Sequence, residues 1–370
     1  MKKIIVALII FVIVILGVAI YKNYDELVAY ITNKDWQITE SVGSVNVNNF
    51  YTVDGTSSSL VVVGNNYIEG YANTSKQSFD EAVSLKSAIT DSNGDYCIVA
   101  ENDGTKVYMI NGSKKIWNLE IQGTILGVSV NKNGYSAIIY KQAGYKSLVR
   151  LIDAEGNEIF TSYLASTYAV DVAISNDNKI LAIAEINAEG IKVQSAVKMI
   201  DINNIKQENV KKLDLGDNVL IIDIEFNEKN QLVVQTDNAV KTVENGNLKD
   251  LLSDKNINAN IVSIKNDSCA IIVSKVDNGL FDSSYVLNIY DYKNDIVDKK
   301  EYEIKSLPSM VATQKKNIVV LVENELLVIN TNGKLVKRFE SVGNVKSLVM
   351  FDNGNSVALV YRDKIEFLKI

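Results

Sequence analysis

The sequence is filled, from about residue 50 to its end, by variants of one unit in which a tight turn leads into a short apolar strand. The clearest copy is ILGVSVNKNGYSAIIYKQAGYKSLVRLIDAEGNEIF at residues 125–160, which reads as four strands joined by two tight turns and a loop. The turns contain Asn133-Gly134 and Glu155-Gly156, residue types that tolerate the positive φ of hairpin turns. This repetition constrains the fold more than any other feature of the chain.

The tight turn that precedes the most apolar strand recurs every 37 to 52 residues. Runs such as LVVV at residue 60 and IVVLV at residue 318 follow it, and such near-continuous apolar runs indicate burial on both faces. A second hairpin follows in most units, so that four strands repeat every 40–50 residues or so, as in β-propeller blades. The last residues of the aligned turns are Gly55, Gly94, Gly134, Asn178, Asn230, Asp267, Asn317 and Gly354.

The repeat predicts an all-β fold, a β-propeller of four-stranded blades over residues 36–370. Eight aligned turns favour eight blades, and seven blades are the alternative because the first unit, residues 44–83, is irregular. The last unit has only three predicted strands. The segment WQITE at residues 36–40 alternates with period two, and we expect it to complete the last blade and cover its edge.

The amino-terminal segment is predicted to be a membrane anchor, residues 1–22. Two lysines precede an uncharged stretch from Ile4 to Tyr21, and 17 of its residues would span about 26 Å as a helix. The lysines predict a cytoplasmic amino terminus and an extracytoplasmic propeller, a single-pass protein of the cell membrane. A cleaved signal peptide is the alternative, since Gly17-Val18-Ala19 offers small residues near a cleavage position.

Residues 23–35 are predicted to form a short stalk helix between the anchor and the propeller. Asn23 and Glu26 have the spacing of a capping box, and Leu27, Val28 and Ile31 recur at helical intervals.

The apolar-Asp/Asn-x-x-Gly hairpins, as in LIDAEGNEIF and VINTNGKLV, resemble those of WD40-like and pyrroloquinoline-quinone-like propellers. More closely, the chain resembles an uncharacterised family of membrane-anchored propellers from low-GC Gram-positive bacteria. The resemblance covers residues 36–370 and the anchor, and it implies a fold and not an activity. The sequence lacks the Gly-His and Trp-Asp pairs of true WD40 repeats, and its two tryptophans cannot supply the repeated docking tryptophan of quinone-dependent dehydrogenases.

Composition excludes several kinds of chemistry. The absence of histidine rules out a Ser-His-Asp triad, a Cys-His pair and histidine-ligated zinc. Cys97 and Cys269 fall at equivalent places in units two and six, which predicts two buried thiols too far apart for a disulfide. Residues 91–95 and 153–158 resemble parts of calcium loops, but hairpin turns require the same residue types. No cofactor is expected.

Charge argues against a nucleic-acid partner. The chain carries 38 basic and 45 acidic residues, and a phosphate backbone is bound by clustered basic side chains. Its three arginines, Arg150, Arg338 and Arg362, are far apart in sequence.

Two functions remain, and a non-catalytic scaffold that binds a protein or a cell-envelope polymer is favoured. The alternative is a histidine-free glycan hydrolase or lyase that uses carboxylates and tyrosines. Paired acids with perturbed titration in the central channel would favour this enzyme. The loops between the second and third strands of units three, four and six are extended, so their apolar residues are predicted to bind the partner: Tyr145, Ile191, Leu280 and Phe281.

Overall fold

A computed structural model describes residues 41–205, 210–244, 246–252, 262–263, 269–277, 283–291, 298–340 and 342–370. The predicted anchor and stalk helix lie outside these residues. Among the described residues, no helix has the length and apolar character needed to cross a membrane. The regular elements are 32 β-strands, β1 to β32 in chain order.

The strands form eight antiparallel sheets of four strands each, so the prediction of eight blades is confirmed and the seven-bladed alternative is wrong. Blade 1 consists of β2 Phe50–Gly55, β3 Ser59–Gly64, β4 Tyr67–Ala72 and β5 Gln77–Ala82, and blade 2 of β6 Ile89–Asn93, β7 Tyr96–Ala100, β8 Lys106–Asn111 and β9 Lys114–Glu120. Blade 3 consists of β10 Thr124–Val130, β11 Ser136–Lys141, β12 Ser147–Ile152 and β13 Glu158–Leu164, and blade 4 of β14 Tyr168–Ile174, β15 Ile180–Asn187, β16 Gln194–Asp201 and β17 Val210–Asp217.

The other four blades follow the same plan, and the last one takes its fourth strand from the beginning of the described chain. Blade 5 consists of β18 Ile221–Phe226, β19 Leu232–Thr236, β20 Val240–Glu244 and β21 Asn247–Leu252, and blade 6 of β22 Val262–Ser263, β23 Cys269–Asp277, β24 Ser283–Asp291 and β25 Asp298–Ile304. Blade 7 consists of β26 Met310–Gln314, β27 Asn317–Val322, β28 Glu325–Asn330 and β29 Leu335–Phe339, and blade 8 of β30 Ser347–Met350, β31 Ser356–Val360, β32 Lys364–Lys369 and β1 Ser41–Asn46.

The first strand of each blade lies at the central axis, and the later strands follow outward in chain order. Neighbouring first strands contact one another from β2 to β18, and again from β22 through β26 and β30 back to β2. We call the side on which the first strands begin the upper face. It carries the loops from second to third strands and the connections between blades, and the opposite side is the lower face.

The second strand of each blade carries the core, as its apolar run predicts. In β3, Leu60 and Val62 pack toward blade 8, while Val61 and Val63 pack toward blade 2, and all four side chains are fully buried. Because successive side chains of a strand point to opposite faces, a strand buried on both faces needs apolar residues throughout. Burying each such side chain contributes about 1.5–3 kcal/mol.

Most of the aligned turns adopt the backbone that their residue types predict. Positive φ values occur at Gly94, Gly134, Asn178, Asn230 and Gly354. Two of the residues that the sequence analysis took as turn ends, Gly55 and Asn317, were wrong. In blade 1 the turn follows Gly55, where the Thr56 amide donates to the Ser59 carbonyl. In blade 7 it precedes Asn317, where Lys315 has φ 52°. Asp267 lies outside the described residues.

The ring is closed by β1, which is the outermost strand of blade 8. It pairs antiparallel with β32, with Ser44 opposite Glu366 and Val45 opposite Ile365. Closure by an amino-terminal strand is therefore confirmed, but the segment predicted for it, Trp36 to Glu40, was wrong. That segment lies outside the described residues, and the strand that closes the ring follows it directly. In β1, Gly43 and Val45 are half-buried, whereas Val42, Ser44 and Asn46 are exposed. The inward positions therefore include a glycine and an outward position is a valine, which weakens the apolar alternation expected of a strand with one solvated face.

Turns on the lower face bind neighbouring blades to one another. The Asn131 side chain caps its own turn and donates to the Ser175 carbonyl at 2.9 Å, and the Asn176 side chain donates to the Asn227 carbonyl at 3.1 Å. At the outer edge, Trp117 Nε1 of blade 2 donates to the Ala154 carbonyl of blade 3 at 3.1 Å. Turn residues therefore connect neighbouring blades as well as reverse the direction of the chain.

Candidate functional site

The loops between second and third strands open on the upper face, and their lengths differ between blades. They comprise residues 188–193 in blade 4 and 142–146 in blade 3, but only 323–324 in blade 7. Extended loops in blades 3 and 4 are thus confirmed, while the loop of blade 6, with Leu280 and Phe281, lies outside the described residues. Blade 2 has a loop at residues 101–105 that is as long as that of blade 3, and the sequence analysis overlooked it.

The loop of blade 3 contacts blade 4 through an aromatic and charged cluster. The rings of Tyr145 and Tyr163 lie 5.0 Å apart, and both side chains are exposed. The next residue, Lys146, places Nζ 5.3 Å from the ring centre of Tyr168 and 3.7 Å from Glu189. Its hydrogen bond to the Tyr168 hydroxyl raises the pKa of Lys146 above its ordinary value, and the Glu189 carboxylate adds to the shift. The two extended loops therefore form one surface.

Ile191, at the tip of the blade 4 loop, is fully exposed. Other exposed apolar side chains lie on the same face. They stand near the beginnings of first strands or near the upper ends of later strands. On blades 3 to 6 this surface, which we call the apolar upper patch, comprises Tyr145, Tyr163, Tyr168, Val170, Ile191, Leu220, Ile222 and Val276.

A polar cleft of about 400 Å³ lies at the upper end of blade 4, beside the loop that carries Ile191. Lys192 and Gln194 hydrogen-bond to the Asp217 carboxylate and lower its pKa. We call this cavity the blade 4 cleft. Its walls include Thr167, Glu185, Asn187, Gln194, Asp214 and Asp217.

Two aspartates meet at the central axis, Asp171 on β14 and Asp223 on β18. Their carboxyl groups are hydrogen-bonded to each other. Burial raises the pKa of Asp171 to about 8, and repulsion by the Asp223 carboxylate adds to the shift. The protonated carboxyl group of Asp171 also accepts the amide of Val172 and that of Ile224 in the next blade, both at 2.8 Å. This pair is the feature that the sequence analysis named as favouring an enzyme.

The Asp171 contact has counterparts in two other blades. Asp54 of blade 1 accepts the Ser92 hydroxyl of blade 2 at 2.6 Å, and Asp91 of blade 2 accepts the Val130 amide of blade 3 at 2.9 Å. A first-strand aspartate that accepts a donor of the following blade is therefore a repeated connection between blades. Between blades 4 and 5, Asp223 adds a second carboxyl group to this connection.

The two segments that resemble calcium loops use carboxylates for contacts within the fold, one between blades and one inside a turn. Asp91 makes the contact to blade 3 described above, and Asp153 Oδ1 accepts the amides of Glu155 and Asn157 at 3.0 and 2.8 Å. Among the described residues, no group of three or more acidic or cysteine side chains is placed to hold a metal ion. Cys97 is a buried thiol in the core between blades 1 and 2, as predicted.

The sheet topology and its ring of first strands define an eight-bladed β-propeller of four-stranded blades. More particularly, the chain belongs to a family of unknown function, DUF5711, whose model matches residues 29–370. Among curated proteins, none has a sequence that matches this chain.

Solved propellers share this fold at low sequence identity. BamB from Moraxella catarrhalis is 11% identical with a TM-score of 0.54, over 89% of this chain and 97% of that one. The C-terminal WD40 domain of Sif2 is 14% identical with a TM-score of 0.60, over 89% and 97%. An oligogalacturonate lyase in complex with manganese is 10% identical with a TM-score of 0.52, over 89% and 92%. These similarities show the fold and not an activity.

The sequence analysis identified Tyr145 and Ile191 as exposed residues of the upper face but missed the buried acids. Glu185 is an acidic residue within the apolar run ILAIAEI, which is a signal that could have been noticed. Asp171 and Asp223 each stand four residues before the polar residue that starts the next turn, Ser175 or Asn227. Because both aspartates stand at the same distance from the lower end of a first strand, they lie at the same height along the central axis.

Proposed function

We propose that this protein is a non-catalytic binding scaffold, tethered to the outer face of the cell membrane, which holds a protein or an envelope polymer on its upper face. The apolar upper patch is the observation that carries the proposal. Tyr163, Ile191 and Ile222 are 58%, 106% and 50% exposed, whereas a fold alone requires only short polar turns at such places. Exposed aromatic and aliphatic side chains that cluster on one face are typical of interaction surfaces.

The direction of β1 supports the same arrangement. In blade 8 the outermost strand runs from the lower to the upper face, since Asn46 pairs with Lys364 at the upper end of β32. The segment that precedes Ser41 therefore joins the propeller at its lower face. We therefore propose that the membrane lies on the side of the lower face, so that the apolar upper patch is turned away from it and is accessible to a partner.

The alternative, a glycan hydrolase or lyase, is favoured by the Asp171–Asp223 pair and the raised pKa of Asp171. However, glycosidases hold their two carboxyl groups about 5–9.5 Å apart, on opposite sides of the bond that is cleaved. Two carboxyl groups that hydrogen-bond directly to each other leave no room for a sugar between them. Asp171 also uses both oxygens to bind backbone amides, which suits a connection between blades. The scaffold is therefore the better proposal.

The test compares two exposed isoleucines on opposite faces. Ile191 lies in the upper loop of blade 4, and Ile205 lies in its lower loop, where it is 50% exposed. We expect Ile191→Asp in the tagged full-length chain to reduce partner recovery from detergent-solubilised membranes by about tenfold or more, as for an interface anchor. Ile205→Asp is the matched control and should leave recovery unchanged. Both variants should melt within about 2 °C of the wild type, as is usual for surface substitutions.

Equal recovery with both variants would contradict the assignment of the upper face. A loss of recovery with Ile205→Asp alone would move the binding surface to the lower face.

A further inference from the structure

The outermost strand of every blade has one edge without a neighbour in its own sheet, and most of these strands contain a β-bulge. In seven of the eight, one residue is skipped in the pairing with the third strand. The skipped residues are Val42, Ser78, Ile116, Ile159, Leu215, Leu251 and Val336. A bulge bends and twists a strand, which makes its free edge a poor template for another strand.

The outermost strand of blade 6, β25, is the exception. It pairs with β24 through seven consecutive residue pairs without a register shift. Tyr302 and Ile304 pack toward blade 7, whereas the alternate residues Lys299, Glu301 and Glu303 are exposed. Within the described ranges, no strand pairs with the outer edge of β25. This edge is therefore the most regular template that the described blades offer to an added strand.

The charges of β25, whose sequence is DKKEYEI, are complementary to those of a second copy of the same strand. When two copies pair antiparallel around Glu301, each of the seven residues has a partner. Lys299 of each copy then lies opposite Glu303 of the other, and Lys300 lies opposite Tyr302. Opposite charges across an antiparallel pair are stabilising, and like charges are destabilising.

The neighbouring registers fit less well. Pairing around Lys300 or around Tyr302 shortens the ladder and places Lys300 opposite itself or Glu301 opposite Glu303. In the register around Glu301, the two central carboxylates face each other. Each of them is already paired with Lys299 of its own chain, at 2.6 Å, which reduces their repulsion.

We propose that two copies of this chain associate through antiparallel pairing of their β25 strands, which joins the two copies of blade 6 into one continuous sheet about a two-fold axis. Lys299 and Glu303 supply the selectivity. Their charges oppose pairing with an unmatched strand but match the same strand in the reversed direction. The inference is independent of what the upper face binds.

Pairing of this kind is compatible with two chains tethered to one membrane. The two-fold axis between antiparallel strands runs perpendicular to their sheet. Neighbouring strands are rotated by roughly 20–25°, so the outermost strand of a blade is turned by roughly 60–75° from the first strand. Because the first strand runs from the upper to the lower face, the two-fold axis lies closer to parallel than to perpendicular to the central axis. Both copies therefore turn their lower faces to the same side.

The first experiment measures the mass of the purified full-length chain in detergent by chromatography with light scattering, which separates the protein mass from the detergent mass. We expect a dimer that dissociates on dilution. Glu303→Lys and Lys299→Glu each place like charges opposite one another twice in the dimer. Each variant alone should therefore raise the dissociation constant at least about tenfold.

An equimolar mixture of these two variants restores both pairs of opposite charge, so it should recover the mass of the wild-type dimer. Glu120→Lys is the matched control, because Glu120 is an exposed glutamate at the end of β9. This outermost strand also has seven residues, but it has a bulge at Ile116. The control variant should keep the dissociation constant of the wild type.

A second experiment tests the register by cross-linking in isolated membranes. Directly opposite residues of antiparallel strands have Cα atoms about 4.5–5.5 Å apart, which a disulfide can bridge. In a Cys269→Ser background, whose remaining Cys97 is buried, Glu301→Cys should form a covalent dimer on mild oxidation. Asn118→Cys, at an exposed position of β9, is the control and should remain a single chain. This measurement does not depend on the folding of the charge variants.

A monomeric wild-type chain would overturn the inference, even if β25 then bound an extended segment of another protein. A dimer that both charge variants leave intact would also overturn it, as would a mixture of the two variants that stays monomeric. Equal cross-linking of Glu301→Cys and Asn118→Cys would contradict the register.

Discussion

Asp171 shows how much the position of a single residue in the ring can change its chemistry. An aspartate in an unfolded chain titrates near pH 3.9, whereas burial and the neighbouring Asp223 raise the pKa of Asp171 to about 8 in the folded protein. At pH values between these two pKa values, Asp171 keeps its proton in the folded state and releases it in the unfolded state. The contribution of Asp171 to stability is therefore complete below about pH 4 and falls as the pH rises to about 8.

Asp171→Asn should reduce this pH dependence. The asparagine NH₂ group can donate to Asp223, as a protonated carboxyl group does, but the single asparagine oxygen can accept only one of the two backbone amides, which in Asp171 bind different oxygens. We expect the variant to melt below the wild type at pH 5, because one amide loses its acceptor, and the difference to narrow toward pH 8. Melting temperatures measured for both proteins from pH 4.5 to 8.5 test this. Parallel curves would mean that Asp171 does not keep its proton in the folded state.

At the scale of the strand, β1 contributes hydrogen bonds and one apolar contact to blade 8. Val45 packs on the cluster that contains Ile365 and Phe367, and each backbone hydrogen bond to β32 contributes about 1 kcal/mol. A chain that starts at Val47 lacks this strand and exposes the edge of β32. We expect it to aggregate or to melt at least about 10 °C lower than a chain that starts at Ser41, from the combined loss of stability. Light scattering and thermal melts compare the two, and equal melting temperatures would show that blade 8 needs only three strands.

The predictability of the elements follows from how local their determinants are. Val61 and Val63 belong to a strand buried on both faces, and Gly134 combines positive φ with close approach to the Tyr96 ring. Such requirements are visible in a few consecutive residues. The closing strand is not visible in this way, because a partly exposed outer strand such as SVGSVN has no strong pattern. Its place depends on pairing with β32, at the other end of the sequence.

The candidate site is less predictable than the fold for a related reason. The exposure of Tyr145 and Ile191 follows from their positions in extended loops, which the sequence shows. The hydrogen bond of the buried Glu185 to Thr167 joins residues that are 18 positions apart, and the protonation of Asp171 depends on an aspartate in the next blade. Both properties arise between segments that are distant in sequence.

At the scale of the whole molecule, the predicted anchor makes membrane orientation testable. Thr74 lies in an exposed lower turn of blade 1, between β4 and β5. In a Cys269→Ser background, whose remaining Cys97 is buried, a Thr74→Cys chain should react with a membrane-impermeant maleimide on intact cells with a permeable wall. The background chain without Thr74→Cys is the control. Labelling that occurs only after lysis would place the propeller in the cytoplasm.

The pairing of β1 with β32 also fixes an order of events during synthesis. Ser44 is made early but finds its partner, Glu366, only when almost the whole chain exists. Closing so long a loop is entropically unfavourable and slow compared with the formation of hairpins within a blade. Blades 1 to 7 can each assemble from consecutive residues as they emerge, whereas blade 8 must wait for both ends of the propeller. Completion of this blade therefore serves as a check that the whole propeller has been made.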